Sequence, residues 1–257
     1  MNCKICEAHT EEIFKARLLN KYDVQYYQCP ACRFVQTEPP YWLNEAYQNP
    51  INLSDTGVVS RNLLLALKTS LIIQFLFNRK AKFIDYAGGW GIFTRLMRDI
   101  GFDFFWYDKF TRNEVARGFE ANLSDHYELI TIFEAFEHFE DPIIELGNLF
   151  QLSNAIFFTT TPLPSPTPNP GDWWYYGLDH GQHIAFYSQP TFEKIASRFG
   201  CSYLTDGKYI HLLTKKKISK GWFRFLTSLA GLILLPLVFL TNKSRTQADY
   251  DRMTGGV

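Results

Sequence analysis

The chain has 257 residues, 46% of them hydrophobic and 20% charged, which suits one sizeable α/β core and a small appendage. Lys plus Arg number 26 and Asp plus Glu number 26, so the net charge is zero. That balance argues against general affinity for a nucleic-acid backbone, which needs clustered positive charge. No charged-then-apolar leader opens the chain, and the expected setting is a reducing cytosol.

Residues 1–40 are short, polar and cysteine-rich, and end at Pro39-Pro40. Cys3-x-x-Cys6 and Cys29-x-x-Cys32 make two knuckles with 22 residues between them. Four thiolates at such spacing suit tetrahedral Zn²⁺ in a structural role, with no open coordination position for catalysis. The segment therefore reads as a separate zinc ribbon. Residues 41–57 read as a linker. Val58 to Asn78 reads as a long helix, with Leu63, Leu64, Leu67, Leu71 and Phe75 at three- and four-residue steps.

A β-α alternation follows. Lys82–Tyr86 is an expected strand running into glycines, and Ile92–Ile100 a helix stopped by Gly101. Asp103–Tyr107 is a second strand ending at Asp108. Between Asp108 and Glu128 there is room for a strand near Ala116–Ala121 but little for a helix before it. Glu128–Phe133 is a strand, Pro142–Gln151 a helix, and Ala155–Thr160 a strand. A proline-dense loop opens at Pro162. Pro190–Phe199 is a helix, and Ser202–Thr205 and Tyr209–Leu213 are strands. Alternation of this kind predicts a mostly parallel sheet covered on both faces, over residues 58–214.

The densest signal is Phe83-Ile84-Asp85-Tyr86-Ala87-Gly88-Gly89-Trp90-Gly91. Glycines let a backbone turn tightly and approach a ligand at the carboxyl edge of the sheet. Asp108, at the end of the next strand, can accept both hydroxyls of a ribose. A dinucleotide fingerprint would need glycine at position 94, which is Thr94. Asp85 favours a cationic ligand instead.

These residues resemble motif I of the class I S-adenosylmethionine (SAM) methyltransferases, an acid followed by G-x-G-x-G, with Ala87 where the first glycine is expected. Glu128-Leu129-Ile130 followed by Glu134-Ala135-Phe136-Glu137-His138 and Asp141-Pro142 resembles the fourth-strand motif of the same superfamily. The resemblance covers roughly residues 58–213. It implies a Rossmann-like, mostly parallel seven-stranded sheet with helices on both faces. It implies that Asp85, Ala87, Gly88, Gly89 and Gly91 face the amino acid end of SAM and that Asp108 holds its ribose. It places Ala121–Leu123 near the adenine and Glu134 near the methyl group. Glu137 and His138 read equally well as helix-start residues.

A zinc ribbon ahead of such a domain is similar to bacterial sugar methyltransferases, including those acting on nucleotide sugars. Those carry a further C-terminal domain that this chain lacks. The implied acceptor is a sugar, a sugar nucleotide or a lipid-linked saccharide. The loop 162–188 holds Trp173, Trp174, Tyr175 and Tyr176, whose flat faces suit a sugar ring, and Asp179, His180 and His183. Gly181–Ser188 resembles the H-x-S-x-F-S stretch of that family, with Ala185 for its Ser and Tyr187 for its Phe. His183 is thus the first choice for general base and His180 the second. A metal held by this histidine pair is disfavoured, because the local sequence offers no third ligand. Two other readings stand beside methyl transfer: a nicotinamide oxidoreductase, and a non-catalytic ribbon module on a Rossmann-like scaffold.

Residues 215–257 form a basic, then apolar tail. Lys215-Lys216-Lys217 and Lys220 precede a run of 16 uncharged residues, Phe225–Leu240, interrupted by Pro236. The run is short for a spanning helix. An apolar helix that touches the membrane surface through residues 215–240, peripheral to the inner membrane, competes with one packed on the domain.

Overall fold

The computed structural model describes residues 1–48, 50–51 and 55–255. The N-terminal part contributes β1 (Glu11–Leu18), β2 (Tyr22–Gln28) and β3 (Val35–Thr37), followed by a single helical turn, α1 (Leu43–Ala46). Then come α2 (Val58–Leu76), β4 (Lys82–Tyr86), α3 (Ile92–Ile100), β5 (Asp103–Tyr107), β6 (Leu129–Phe133), α4 (Pro142–Leu152) and β7 (Ala155–Thr159). The chain continues with β8 (Ala185–Phe186), α5 (Gln189–Phe199), β9 (Ser202–Thr205) and β10 (Ile210–Thr214). It ends in α6 (Lys220–Thr227), a 3₁₀ segment Ala230–Leu234, α7 (Leu235–Thr241) and α8 (Thr246–Thr254).

The central sheet is α/β and Rossmann-like, but it is mixed and has six strands among the described residues, in the order β5-β4-β6-β7-β10-β9. β5, β4, β6 and β7 run parallel. β10 lies antiparallel to both β7 and β9. The cause is local. Asp206 Oδ1 accepts from the backbone N–H of Lys208, Tyr209 and Ile210. With Gly207 at φ +85°, this closes a hairpin, which forces its two strands antiparallel. The seventh strand expected near Ala116–Ala121 is reduced to one bridge, Trp106 to Glu120. Gly118 (φ +86°) and the Asn113 side chain, which bonds Ala116 and Glu120, turn that segment away from extended geometry.

Both faces of the sheet are buried, so its side chains alternate between two cores with the period of a strand. Ile84, Ile130, Ile156 and Phe158 pack toward α4 and α5, in the same cluster as Cys3, Cys29 and Cys32. Phe83, Leu129, Phe157 and Leu212 pack toward α2, α3 and the C-terminal tail. The helix starts are well specified. Asp141 caps α4 by accepting from Ile144 N–H, with Pro142 in the first turn, and Ser188 and Thr191 form a reciprocal capping box on α5.

The apolar stripe of α2 differs from the expected one. Leu63 is 48% exposed, whereas Leu65, Ala66, Leu71, Ile72 and Ile73 are buried. The helix is covered twice, by the sheet on one side and by the tail on the other, so apolar residues are needed around more of its circumference. The tail is not one apolar helix. α6 and the Ala230–Thr241 stretch meet at 83°. At the bend a Cβ on Gly231 would sit 2.4 Å from the Phe225 carbonyl oxygen. Phe223, Leu226 and Val238 face inward. α8 is fastened by Arg98, whose guanidinium donates to both Asp249 oxygens at 2.8 and 2.6 Å while stacking 3.6 Å from the centre of the Phe119 ring.

Residues 1–40 share their sheet with the end of the loop 162–188. The order is β1-β2-β3-β8, and Val35 and Gln36 pair with Phe186 and Ala185. Thr191 Oγ1 donates to the Cys32 carbonyl at 2.8 Å, and Trp42 Nε1 donates to the Gly181 carbonyl at 2.7 Å. The four Sγ atoms cluster, with Cys3–Cys32 and Cys6–Cys32 at 3.6 Å and Cys6–Cys29 at 3.5 Å.

Candidate active site

The turn after β4 is built around a buried carboxylate. Asp85 is 2% exposed and accepts from Thr94 Oγ1 at 3.0 Å and Thr131 Oγ1 at 3.2 Å. A Cβ on Gly88 would meet Asp85 Oδ2 at 2.6 Å and Trp106 Cδ1 at 2.8 Å, so position 88 admits no side chain. Gly89 and Gly91 take positive φ, and so does Ala87 at +59°. For alanine this left-handed geometry costs about 1 kcal/mol, which is the physical reason a glycine is the usual residue there. Thr94, at the position a dinucleotide fingerprint gives to glycine, is instead the donor that holds Asp85. Asp108 ties the end of β5 to the turn: Oδ2 accepts from Gly89 N–H at 2.9 Å, and Oδ1 accepts from Phe110 and Thr111 N–H at 2.8 Å.

These residues open into a cavity of about 830 Å³ at the carboxyl edge of the sheet. Asp85, Ala87, Gly88, Gly89, Asp108, Glu134, His180 and His183 all line it; Gly91 and Ala121–Leu123 do not. Eight carboxylates line the cavity, those of Asp55, Asp85, Asp108, Glu134, Glu140, Asp141, Glu145 and Asp179, against two permanent cations, Arg61 and Lys109. Arg61 is already held bidentately by Asp55 at 2.9 and 2.6 Å. Such a lining suits a cationic or hydroxyl-bearing ligand and repels a pyrophosphate.

Three acids here are pushed up to about 7, in each case chiefly by burial: Asp85, Glu134 and Glu137. Glu134 sits at the end of β6 with φ +52°, and its side chain accepts from Thr159 Oγ1 at 2.7 Å. Left-handed geometry at a glutamate is strain of the kind found at functional sites. Glu137 is fully buried, and neither of its oxygens completes a hydrogen bond among the described residues. The Tyr175 and Thr160 hydroxyls, 3.0 Å from each other, lie close enough to favour its ionised form.

The two loop histidines differ in tautomer. His183 Nδ1 donates to the Tyr175 carbonyl at 2.6 Å, so Nε2 carries the lone pair, and it lies 3.9 Å from Glu137 Oε1. His180 is the reverse: Nδ1 accepts from Gln182 N–H at 3.1 Å, which leaves Nε2 protonated in the neutral ring. Of these two, His183 is therefore the one that offers a free acceptor nitrogen. Burial lowers both histidines to about 4, so both are neutral near pH 7. His138, read from sequence as an even choice, lines the cavity and shares a 2.8 Å hydrogen bond with Tyr47. Glu137, His138 and His183 bring one potential ligand atom each within 4.8 Å of one another, a grouping that does not include His180 and so is not the histidine pair considered from sequence.

The four aromatics of the loop divide. Trp174, 78% exposed, and the buried Tyr175 line the cavity, while Trp173, Tyr175 and Tyr176 all belong to the core cluster around β1, β2 and β8. Tyr47, stacked on Phe110 with ring centres 4.5 Å apart, and the Arg61–Asp55 pair were not read from sequence as site residues. Tyr47 lies in the expected linker, where nothing in the local pattern pairs it with a histidine 91 positions away.

Asp85 sets a testable pH dependence. Its pKa in the fold, about 7, lies above its ordinary 3.8, so the folded state holds the proton more tightly. This contribution to stability is complete below its ordinary range and is lost as pH rises through about 7. Urea unfolding of the ligand-free protein is expected to show stability falling over that window. Asp85→Asn is expected to flatten the fall and to exceed the wild type in relative stability at alkaline pH. Parallel curves for the two proteins would show that Asp85 is not the titrating group.

Comparison with known proteins places this geometry. A family described as a methyltransferase domain matches residues 61–206, more than half of the chain. No curated protein matches. Among solved structures, the chain is similar to magnesium protoporphyrin IX methyltransferase from Synechocystis PCC 6803 with bound SAM, at 12% identity and a TM-score of 0.42, over 68% of this chain and 90% of that one. It is also similar to an O-methyltransferase family protein from Burkholderia thailandensis, at 16% identity and a TM-score of 0.48, over 63% of this chain and 58% of that one. A plantazolicin methyltransferase in complex with SAH shares 13% identity at a TM-score of 0.45, over 68% of this chain and 89% of that one. On the family match across the domain that carries the glycine turn, the chain belongs to the methyltransferase-domain family and is a SAM-dependent methyltransferase.

Proposed function

We propose that this enzyme methylates a hydroxyl-bearing small molecule of the sugar class and that His183 is its general base. The observation that carries the reading is the His183 tautomer: Nδ1 anchored on a carbonyl, Nε2 free, in the same cavity as the glycine turn. Asp85 and the Ala87–Gly89 backbone would hold the amino acid end of SAM, and the Asp108 carboxylate its ribose. The fit rests on the donor set, since an acid-rich lining complements a ligand that carries a sulfonium and an ammonium group. When bound, SAM supplies an electrophilic methyl group for in-line displacement.

The remaining chemistry falls to the chain. His183 Nε2 accepts the acceptor's proton, and the resulting imidazolium faces Glu137 across 3.9 Å. The ionised form of that buried acid, which burial disfavours, gains a counter-charge as the histidine becomes protonated. His180, with Nε2 protonated, acts as a donor that orients the acceptor. Carboxylates such as Glu134 and Asp179 accept from sugar hydroxyls, and the faces of Trp174 and Tyr175 cover the ring. The same acids favour an uncharged ring inside the cavity and leave any phosphate of a nucleotide sugar or lipid carrier outside it.

The four cysteines are proposed to hold a structural zinc. Zn–S bonds of about 2.3 Å at tetrahedral angles give S···S edges of about 3.8 Å, close to the 3.5 and 3.6 Å separations here. When bound, the metal would brace β3 and, through it, β8 and the His183 loop.

Two measurements test this. With SAM labelled in its methyl group and a panel of free and nucleotide-linked sugars, the wild type is expected to label at least one acceptor. His183→Asn should keep SAM affinity and lose transfer by about 100-fold or more; unchanged transfer removes His183 from the role. Metal analysis of the purified protein is expected to find one zinc per chain, and none in Cys32→Ser. A wild type free of metal after purification without chelator overturns the zinc assignment.

A further inference from the structure

The C-terminal tail is folded in a way that methyl transfer does not require. Its inner side packs on α2 through Phe223, Leu226 and Val238. Its outer side is apolar and in water: Leu229 is 75% exposed, Ile233 77% and Leu240 82%, with Leu237 and Phe239 also exposed. These residues fall within the 16-residue run without charge, Phe225–Leu240. Large apolar side chains exposed this densely along one stretch of a folded protein mark a contact with something else.

Charge decides between occupants. Residues 215–245 contain seven Lys or Arg and no Asp or Glu, in a chain whose totals balance at 26 and 26. Lys216 and Arg245 pair with Glu128 and Asp103. Lys215, Lys217, Lys220, Arg224 and Lys243 have no acidic partner among the described residues. A second copy docked on this face would set like charges against one another. A surface with an apolar interior and anionic groups at its edge matches both features at once. Trp222, 39% exposed and stacked on Phe225, stands where the cationic and apolar parts meet, a position that suits an indole at a membrane interface. The 83° bend between α6 and the Ala230–Thr241 stretch excludes a single straight span and lets both arms lie along a surface.

We infer that the outer side of the α6–α7 tail, Leu229 to Leu240 with its flanking lysines, docks the enzyme on an anionic lipid bilayer in the plane of the interface. The apolar side chains enter the acyl boundary while Lys217, Lys220 and Lys243 meet lipid phosphates. The inference stands apart from the methyl-transfer reading, because none of these residues lines the cavity.

The test is co-sedimentation of the full chain with vesicles of phosphatidylcholine alone and of phosphatidylcholine mixed with phosphatidylglycerol. Binding is expected to the mixed vesicles, weaker to the neutral ones and weaker at high salt. Ile233→Glu with Leu240→Glu, and separately Lys217→Glu with Lys220→Glu, should each weaken binding about tenfold or more. Both variants should keep wild-type SAM affinity and unfolding midpoints, since the changed side chains lie on the exposed face. Three results overturn the inference: no sedimentation with either vesicle, undiminished binding of both variants, or a solution dimer that the Ile233→Glu, Leu240→Glu variant dissociates, which assigns the face to a second copy.

Discussion

One carboxylate under one missing side chain organises the catalytic half of the molecule. Asp85 is buried at the end of β4, and its oxygen occupies the space a Cβ on residue 88 would need. Two threonine hydroxyls, from α3 and β6, close on the same group. The turn, the start of α3 and the neighbouring strand are thereby locked to a single point at the carboxyl edge of the sheet. Everything that lines the cavity is positioned relative to it. Asp108 reaches back to the turn through Gly89, and Glu134 and His138 leave the adjacent strand within the same opening.

The second constraint is the fusion of the cysteine-bearing segment with the loop that carries the histidines. β8 is only two residues long and finds its partner in β3, outside the central sheet. Around it, Trp42 bonds the Gly181 carbonyl, Leu178 accepts from Leu19 N–H, and Thr191 bonds the Cys32 carbonyl. A long loop of this composition gains little order from its own sequence. Here its order comes from the N-terminal sheet, and with it the geometry that leaves His183 Nε2 unprotonated. Glu137, 3.9 Å behind that ring, is a buried acid whose ionised form has a protonated histidine as its natural complement.

Much of this was legible in the residues because it is local. Glycines next to an acid and the strands Lys82–Tyr86 and Glu128–Phe133 each need only a few neighbours to be read. The cysteine knuckles are likewise a matter of spacing. The seventh strand was not realised; the mostly parallel direction was, with β10 as the one reversed strand among the described residues, and Asp206-Gly207 carried the hairpin signal that pointed to its antiparallel pairing. What sequence could not show depends on distant partners. Tyr47 meets His138, and Glu137 faces His183, only after the sheet has formed. Three of the four loop aromatics, Trp173, Tyr175 and Tyr176, were claimed by the core of the N-terminal sheet, which no pattern within the loop could announce.

The central claim is that the cavity beside the glycine turn binds SAM. Titration calorimetry of the purified chain with S-adenosylhomocysteine, and separately with NADH, addresses it directly. The account predicts saturable one-to-one binding of the first, no heat from the second, and loss of the first in Gly88→Val, where a side chain would displace Asp85. Absence of S-adenosylhomocysteine binding by a folded wild-type protein, or binding of NADH in its place, would contradict it.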